Sequence, residues 1–246
     1  MERKGFYLTV PSNASYDTYP NNTLSTFKVR TATPIDLSGY TVALTEIQYP
    51  NSWNNIKDGS FTLQKTASTN DRQTVRLLEG RYVTMEQLIE AFQKQLENLR
   101  ANTYVIVHWD KIRRKTLINI TRDGAVLTIS KQLAQILGFR GRRFVKGVHT
   151  SEYHTDIDEG MSAIYVYSSI VQNQLVGDSL VPLLRVVPIR GRSDELYRSE
   201  EFLHPYYLPT VNETTSELGF DLRRDDGDVI SFRTGKVVLT LHFQPI

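Results

Sequence analysis

The stretch KVVLTLHF, residues 236–243, leaves little choice of backbone. Val237, Leu239, Leu241 and Phe243 alternate with Val238, Thr240 and His242, and a strand is the element that puts every second side chain on one face. The same period returns along the chain. It runs through Phe6, Leu8 and Val10, through Phe27 and Val29, and through Leu218, Phe220 and Leu222. YTVALTEIQYP reads as a longer strand, ended at Pro50 because proline cannot donate to a ladder. SFTLQK reads as a further short strand. Residues 163–171 and 180–189 read as two strands joined at Val-Gly-Asp, and DDGD at 225–228 as the hairpin turn before the last strand. Many short strands with turn signals between them predict a β-sandwich or barrel. A chain that ends in so apolar a strand is expected to have placed it centrally.

One region breaks this pattern. Met85, Leu88, Ile89, Phe92, Leu96 and Leu99 recur at helical spacing behind Thr84, and Thr84 with Gln87 makes a capping box. SKQLAQILGF predicts a shorter helix, with Ser130 as N-cap and Gly138 as its stop. YVIVHWD, KTLINIT and AVLTI between them read as strands. The expectation is a sandwich built from 1–72 and 146–246, with residues 73–145 as a small α+β insertion. That insertion is expected not to be one of the sandwich layers and to face away from the main sandwich core, with RGRRFVK exposed. The loop at about 190–213 shows little pattern.

Composition excludes some chemistry. The 246 residues are 40% hydrophobic and 23% charged, so the chain can bury a full core and is not broadly disordered. It contains no cysteine, which removes disulfides, thiolate zinc sites and a thiol nucleophile. An intracellular folding compartment is the simpler reading, with the sequons at Asn13, Asn21, Asn119 and Asn212 as chance patterns. The N-terminus lacks a signal-peptide run, and no apolar stretch is long enough to span a membrane. The 29 basic and 27 acidic residues give a net charge of +2, unlike a dedicated nucleic-acid binder. Two local clusters, KIRRK and RGRRFVK, remain. Arg140, Arg142, Arg143 and Lys146 of the second are candidates for a weak contact with nucleic acid or an acidic protein, against the plainer reading of a solvated turn.

No catalytic constellation is visible. None of His108, His149, His154, His204 and His242 has a helical His or Glu partner at metal-binding spacing. His149 and His154 lie near Asp156, Asp158 and Glu159, but a solvated acidic loop accounts for them. DIDEG and DDGD lack the ligand spacing of a calcium loop. There is no G-x-S-x-G elbow and no phosphate-binding P-loop. No catalytic, metal or cofactor residue is therefore expected. What stands out is aromatic content outside the strands: Tyr16 and Tyr19 beside Pro20, Trp53, and Tyr206 with Tyr207. Such residues favour protein interfaces, although loops folded over the ends of a sandwich would also contain them.

Three blocks carry a resemblance. FYLTVPSNASYDTYPNNTLSTFKVR…PIDLSGYTVALTEIQYPNSW, then IYVYSSIVQNQLVGDSLVPLLRVVP, then LGFDLRRDDGDVISFRTGKVVLTLHF occur in this order and span nearly the whole chain. GRYVTMEQLIEAF and LAQILGF match in kind between them. The sequence resembles the minor capsid, penton-like proteins of Polinton/Maverick elements and adintoviruses. Asn13, Glu46, Tyr49, Pro50, Gly177, Asp178, Arg185, Gly235, Lys236, His242 and Phe243 stand in the resembling blocks. One departure is at Ser168 or Ser169, at one of which the family often carries an acidic residue. The resemblance implies a single jelly roll that forms homopentamers at the fivefold vertices of an icosahedral particle. It also implies a double jelly-roll major capsid protein as partner, no cofactor, and a place in the virion after synthesis inside the host cell. Two other functions stay open on the residues alone. One is a viral carbohydrate- or receptor-binding β-sandwich. The other is a sandwich-fold hydrolase, which would need a carboxylate pair or histidine site that the sequence does not display.

Overall fold

Alternating segments become strands throughout the computed structural model, which describes residues 3–66, 71–158, 161–190, 195–211 and 213–246. The chain opens with β1 (Phe6–Pro11), β2 (Thr26–Asp36) and β3 (Tyr40–Pro50). There follow β4 (Ser60–Gln64), β5 (Arg72–Arg76), α1 (Met85–Asn98), β6 (Val105–Asp110), β7 (Lys115–Ile120) and β8 (Val126–Ile129). Next come α2 (Lys131–Leu137), β9 (Arg143–Phe144) and β10 (Gly147–Thr150). The last part holds β11 (Ala163–Ser168), β12 (Gln174–Val176), β13 (Ser179–Val181), β14 (Leu183–Pro188), β15 (Tyr197–Glu201), β16 (Leu208–Pro209), β17 (Thr214–Arg223) and β18 (Val238–Pro245). The chain forms two compact units, 1–53 with 161–246, and 54–160.

The first unit is a jelly roll. One sheet runs β1-β18-β3-β15, with β16 also on β3; the other runs β14-β11-β17-β2. All pairings in both sheets are antiparallel. Counted as eight main strands, the orders are 1-8-3-6 and 5-4-7-2, so neighbours in sequence largely lie in opposite sheets. Side chains from the two inner faces form one core. Val42, Leu44 and Ile47 of β3 and Leu239, Leu241 and Phe243 of β18 meet Ile164, Val166, Leu218, Phe220 and Leu222. The last strand is central, as expected: β18 pairs with β1 on one side and β3 on the other.

The second unit enters the chain between β3 and β11. It has two sheets, β5-β4-β8-β9 and β10-β7-β6. Its core is its own: Leu88, Phe92 and Leu96 of α1 pack with Phe61, Leu63, Val107, Leu127 and Leu133. Thr84 Oγ1 accepts from the Gln87 amide at 3.3 Å, while the Gln87 side chain reaches back to the Val83 amide at 2.9 Å. Gly138 ends α2 with φ +80°, and a side chain there would run into the Tyr153 carbonyl.

Several expectations need correction. SFTLQK is β4 and pairs with β5 and β8, so the second unit spans 54–160 rather than 73–145. The turn at DDGD does not join β17 to β18. These strands lie in different sheets, and the turn closes only a local bridge between Arg223 and Val229. Residues 163–171 and 180–189 are not one hairpin. β11 pairs with β14 with a register shift after Val166, while β12 and β13 pair only with each other in a separate ribbon. The patternless loop contains β15 and β16, both paired to β3. Within it 191–194 and 212 fall outside the described residues, as does Glu159 of the acidic loop.

Candidate functional site

The N-terminal tyrosine loop caps a sheet edge. β2 is the outer strand of its sheet, and such strands present unpaired backbone groups. Asn22 satisfies two of them: its Nδ2 donates to the Lys28 carbonyl at 2.8 Å and its Oδ1 accepts from the Lys28 amide at 2.9 Å. Ser15 Oγ accepts from the Arg30 amide at 3.1 Å. The Tyr19 hydroxyl donates to Glu217 Oε2 at 2.7 Å, and Lys28 Nζ donates to Glu217 Oε1 at 2.7 Å. Tyr19 therefore fastens the loop, while Tyr16, Pro20 and Asn13 face solvent.

Charge pairing gives this anchor a pH dependence. The bonds from Lys28 and Tyr19 hold the Glu217 carboxyl below its ordinary range, and the same bonds raise both donors. A lowered carboxyl pKa stabilises above the ordinary glutamate value of about 4.3, and the gain is lost as pH falls through the folded value. Loop amides 15–22 should accordingly exchange faster below about pH 4 than at pH 6, after correction for intrinsic rates. Equal protection at both would show that Glu217 does not hold the loop.

The late loop is fastened at the opposite edge of that sheet, on β14. The Arg185 guanidinium lies 4.2 Å from the Phe202 ring centroid and 4.0 Å from that of Tyr206. Cation–π contact with two rings at once explains an arginine here. Tyr206 stays 65% exposed. Tyr207 turns toward the other sheet, where its hydroxyl meets His242 Nδ1 at 2.6 Å. Tyr7 stacks on the same His242 ring at 4.3 Å. Tyr7, Tyr207 and His242 thus form one aromatic cluster.

The remaining residues of the resembling blocks divide between packing and surface. A side chain at Gly235 (φ +102°) would meet Pro50 Cβ and Tyr197 Oη, each at 2.8 Å. Tyr49 is buried, and burial pushes its phenol up. Phe243 stacks on Phe6 at 4.6 Å. Glu46 accepts from Ser199 and Thr240, each at 3.4 Å. Gly177 (φ +62°) and Asp178 form the exposed ribbon turn, and Lys236 is exposed.

Two features escaped the sequence reading. Leu175 and Leu180 pair across the ribbon and are 73% and 68% exposed. The two-residue Gly-Asp turn fixes that pairing, so it could have been found by counting outward from the turn. Beside the ribbon's base a groove of about 610 Å³ opens over Gly219, walled by Tyr167, Val181, Pro182 and Lys28. Ser169 Oγ accepts from the Gly219 amide at 2.9 Å, and Ser168 Oγ donates to its carbonyl at 2.9 Å. Both serines thus bind the backbone of β17.

In the second unit, Arg142 and Arg143 are exposed, the Arg140 amide donates to Glu152, and Lys146 pairs with Asp123 at 2.8 Å. His149 contacts the Val145 carbonyl, and Asp158 pairs with Arg81. No group of three or more metal-ligating side chains occurs among the described residues. No helix among them is long and apolar enough to cross a membrane.

No family model and no curated protein matches the chain. Among solved structures it is similar to the penton protein of mavirus, with a TM-score of 0.50 and 11% sequence identity. The match covers 99% of this chain and 100% of that one, and at such low identity it establishes a penton-like fold.

Proposed function

We propose that the chain is a penton-like minor capsid protein of the kind encoded by Polinton/Maverick elements and adintoviruses. Five copies would close a ring at the fivefold vertex of an icosahedral particle, set among copies of a double jelly-roll major capsid protein. The protein would be made inside the host cell and reside in the virion. The observation that carries this reading is the end-to-end likeness to the mavirus penton protein, which leaves almost none of either chain unmatched.

The surface supports it. A ring needs a head-to-tail contact, in which two different patches of one subunit meet. The loop with Tyr16, Tyr19 and Pro20 lies on β2, and the Tyr206–Tyr207 loop is clamped to β14, at opposite edges of one sheet. Joining one flank to the other places each loop against a neighbour, with the Leu175–Leu180 ribbon available to extend the contact. A permanent interface of this kind buries on the order of 2,000 Å² or more.

Tyr16→Asp with Tyr206→Asp should weaken self-association while changing monomer stability by about 1 kcal/mol or less, since Tyr16 is a surface substitution and Tyr206 gives up one exposed cation–π contact with Arg185. Tyr19 is a poorer probe, because Asp there would stand beside Glu217 and release the loop. Sedimentation and thermal melting read the two effects separately. Unchanged association would remove these loops from the interface.

A further inference from the structure

The chain's small net charge hides a division. Residues 54–160 hold 17 basic and 12 acidic residues, a net +5, leaving 12 against 15, or −3, on the jelly roll. Part of that excess gathers on one sheet face. In the sheet β5-β4-β8-β9, Phe61, Leu63, Leu127 and Ile129 point inward, and Phe61 stacks on Phe92 of α1 at 4.4 Å. The alternation sends the other residues outward. Register places Arg72 beside Gln64 and Val126, and places Thr74, Thr62, Thr128 and Arg143 in one row across all four strands. Arg76 stands beside Ser60.

No outward position of these strands is acidic. Among the described residues Arg72, Arg76 and Arg143 have no carboxylate within ion-pair distance; Arg72 Nε donates only to Gln64 Oε1, at 3.3 Å. The hydroxyls of Thr62 and Thr74 are 2.8 Å apart. A shallow cleft of about 270 Å³ lies over this floor, between Arg72 and Arg143. Three strand spacings separate β5 from β9, about 14 Å, and Arg72 and Arg76 are about 13 Å apart along their strand. Unpaired arginines around a floor of hydroxyls are the groups that hold phosphate oxygens. The outward positions include no aromatic ring, so the face has nothing on which an unpaired base can stack.

We propose that this face binds the phosphate backbone of double-stranded nucleic acid without reading its sequence. The proposal goes beyond the vertex role and does not depend on it. It also moves the centre of the contact away from Lys146, which Asp123 already neutralises, to Arg72, Arg76 and Arg143.

Fluorescence polarisation of the intact chain with a labelled duplex of about 20 base pairs tests this, alongside the matching single strand and polyglutamate. Three neutralised phosphates give a log–log salt slope of about −2.7, so affinity should fall about 40-fold between 50 and 200 mM salt. Arg72→Gln, Arg76→Gln and Arg143→Gln together should abolish duplex binding at an unchanged melting temperature. Lysine at the same three positions keeps the charge and should retain most of the binding, which separates loss of contact from loss of fold. Failure to bind duplex at low salt, binding untouched by the triple glutamine variant, preference for the single strand, or tighter binding of polyglutamate would each overturn the proposal.

Discussion

Removing residues 236–246 is expected to leave the jelly roll unfolded. β18 lies between β1 and β3, so its loss strips hydrogen-bond partners from two strands at once. Val237, Leu239, Leu241 and Phe243 are each 0% exposed. Burying such side chains is worth roughly 1.5–3 kcal/mol each, or about 6–12 kcal/mol together. A domain's whole stability is about 5–15 kcal/mol. The truncated chain should be insoluble, or lack a cooperative melt in residues 1–53 and 161–235. A native-like melt of the truncated protein would show the strand to be peripheral.

Phe92→Ala should cost about 3–5 kcal/mol, the usual range for removing a buried ring. Phe92 is 0% exposed and stacked on Phe61, and the core it serves draws every residue from 54–160. The loss should therefore fall on the second unit. Hydrogen exchange should show amides of α1, β4 and β8 losing protection, while β3 and β18 keep theirs. A cost below about 1 kcal/mol, or equal loss in both units, would contradict a separate core.

Strands and helices were legible because their signals are local. Alternation marked β1, β2, β17 and β18, and Thr84, Ser130 and Gly138 marked helix ends. Sheet membership was not legible, because it depends on partners distant in sequence. β4 alternates as a jelly-roll strand would, yet Phe61 and Leu63 bury against α1. The Asp-Gly turn after β17 looks like a hairpin, yet the chain crosses to the other sheet. β15, with sequence YRSEE, hides for another reason: its inward residue is Arg198, buried beside Trp53, so no apolar alternation remains to read.

The site was partly legible. Aromatic loops marked two patches, but composition could not show that Tyr19 bonds Glu217 or that Arg185 clamps Tyr206. Arg72, Thr74 and Arg76 alternate visibly in RQTVR. Only strand register brings Arg143 to the same face, from far along the chain.

Assembly is the most direct test of the vertex role. Size-exclusion chromatography with light scattering, run at high protein concentration, should give about five times the chain's 28.2 kDa, and averaged electron micrographs should show a ring with fivefold symmetry. A stable dimer or trimer under those conditions, with the loops at Tyr16 and Tyr206 protected in its contact, would contradict the vertex role.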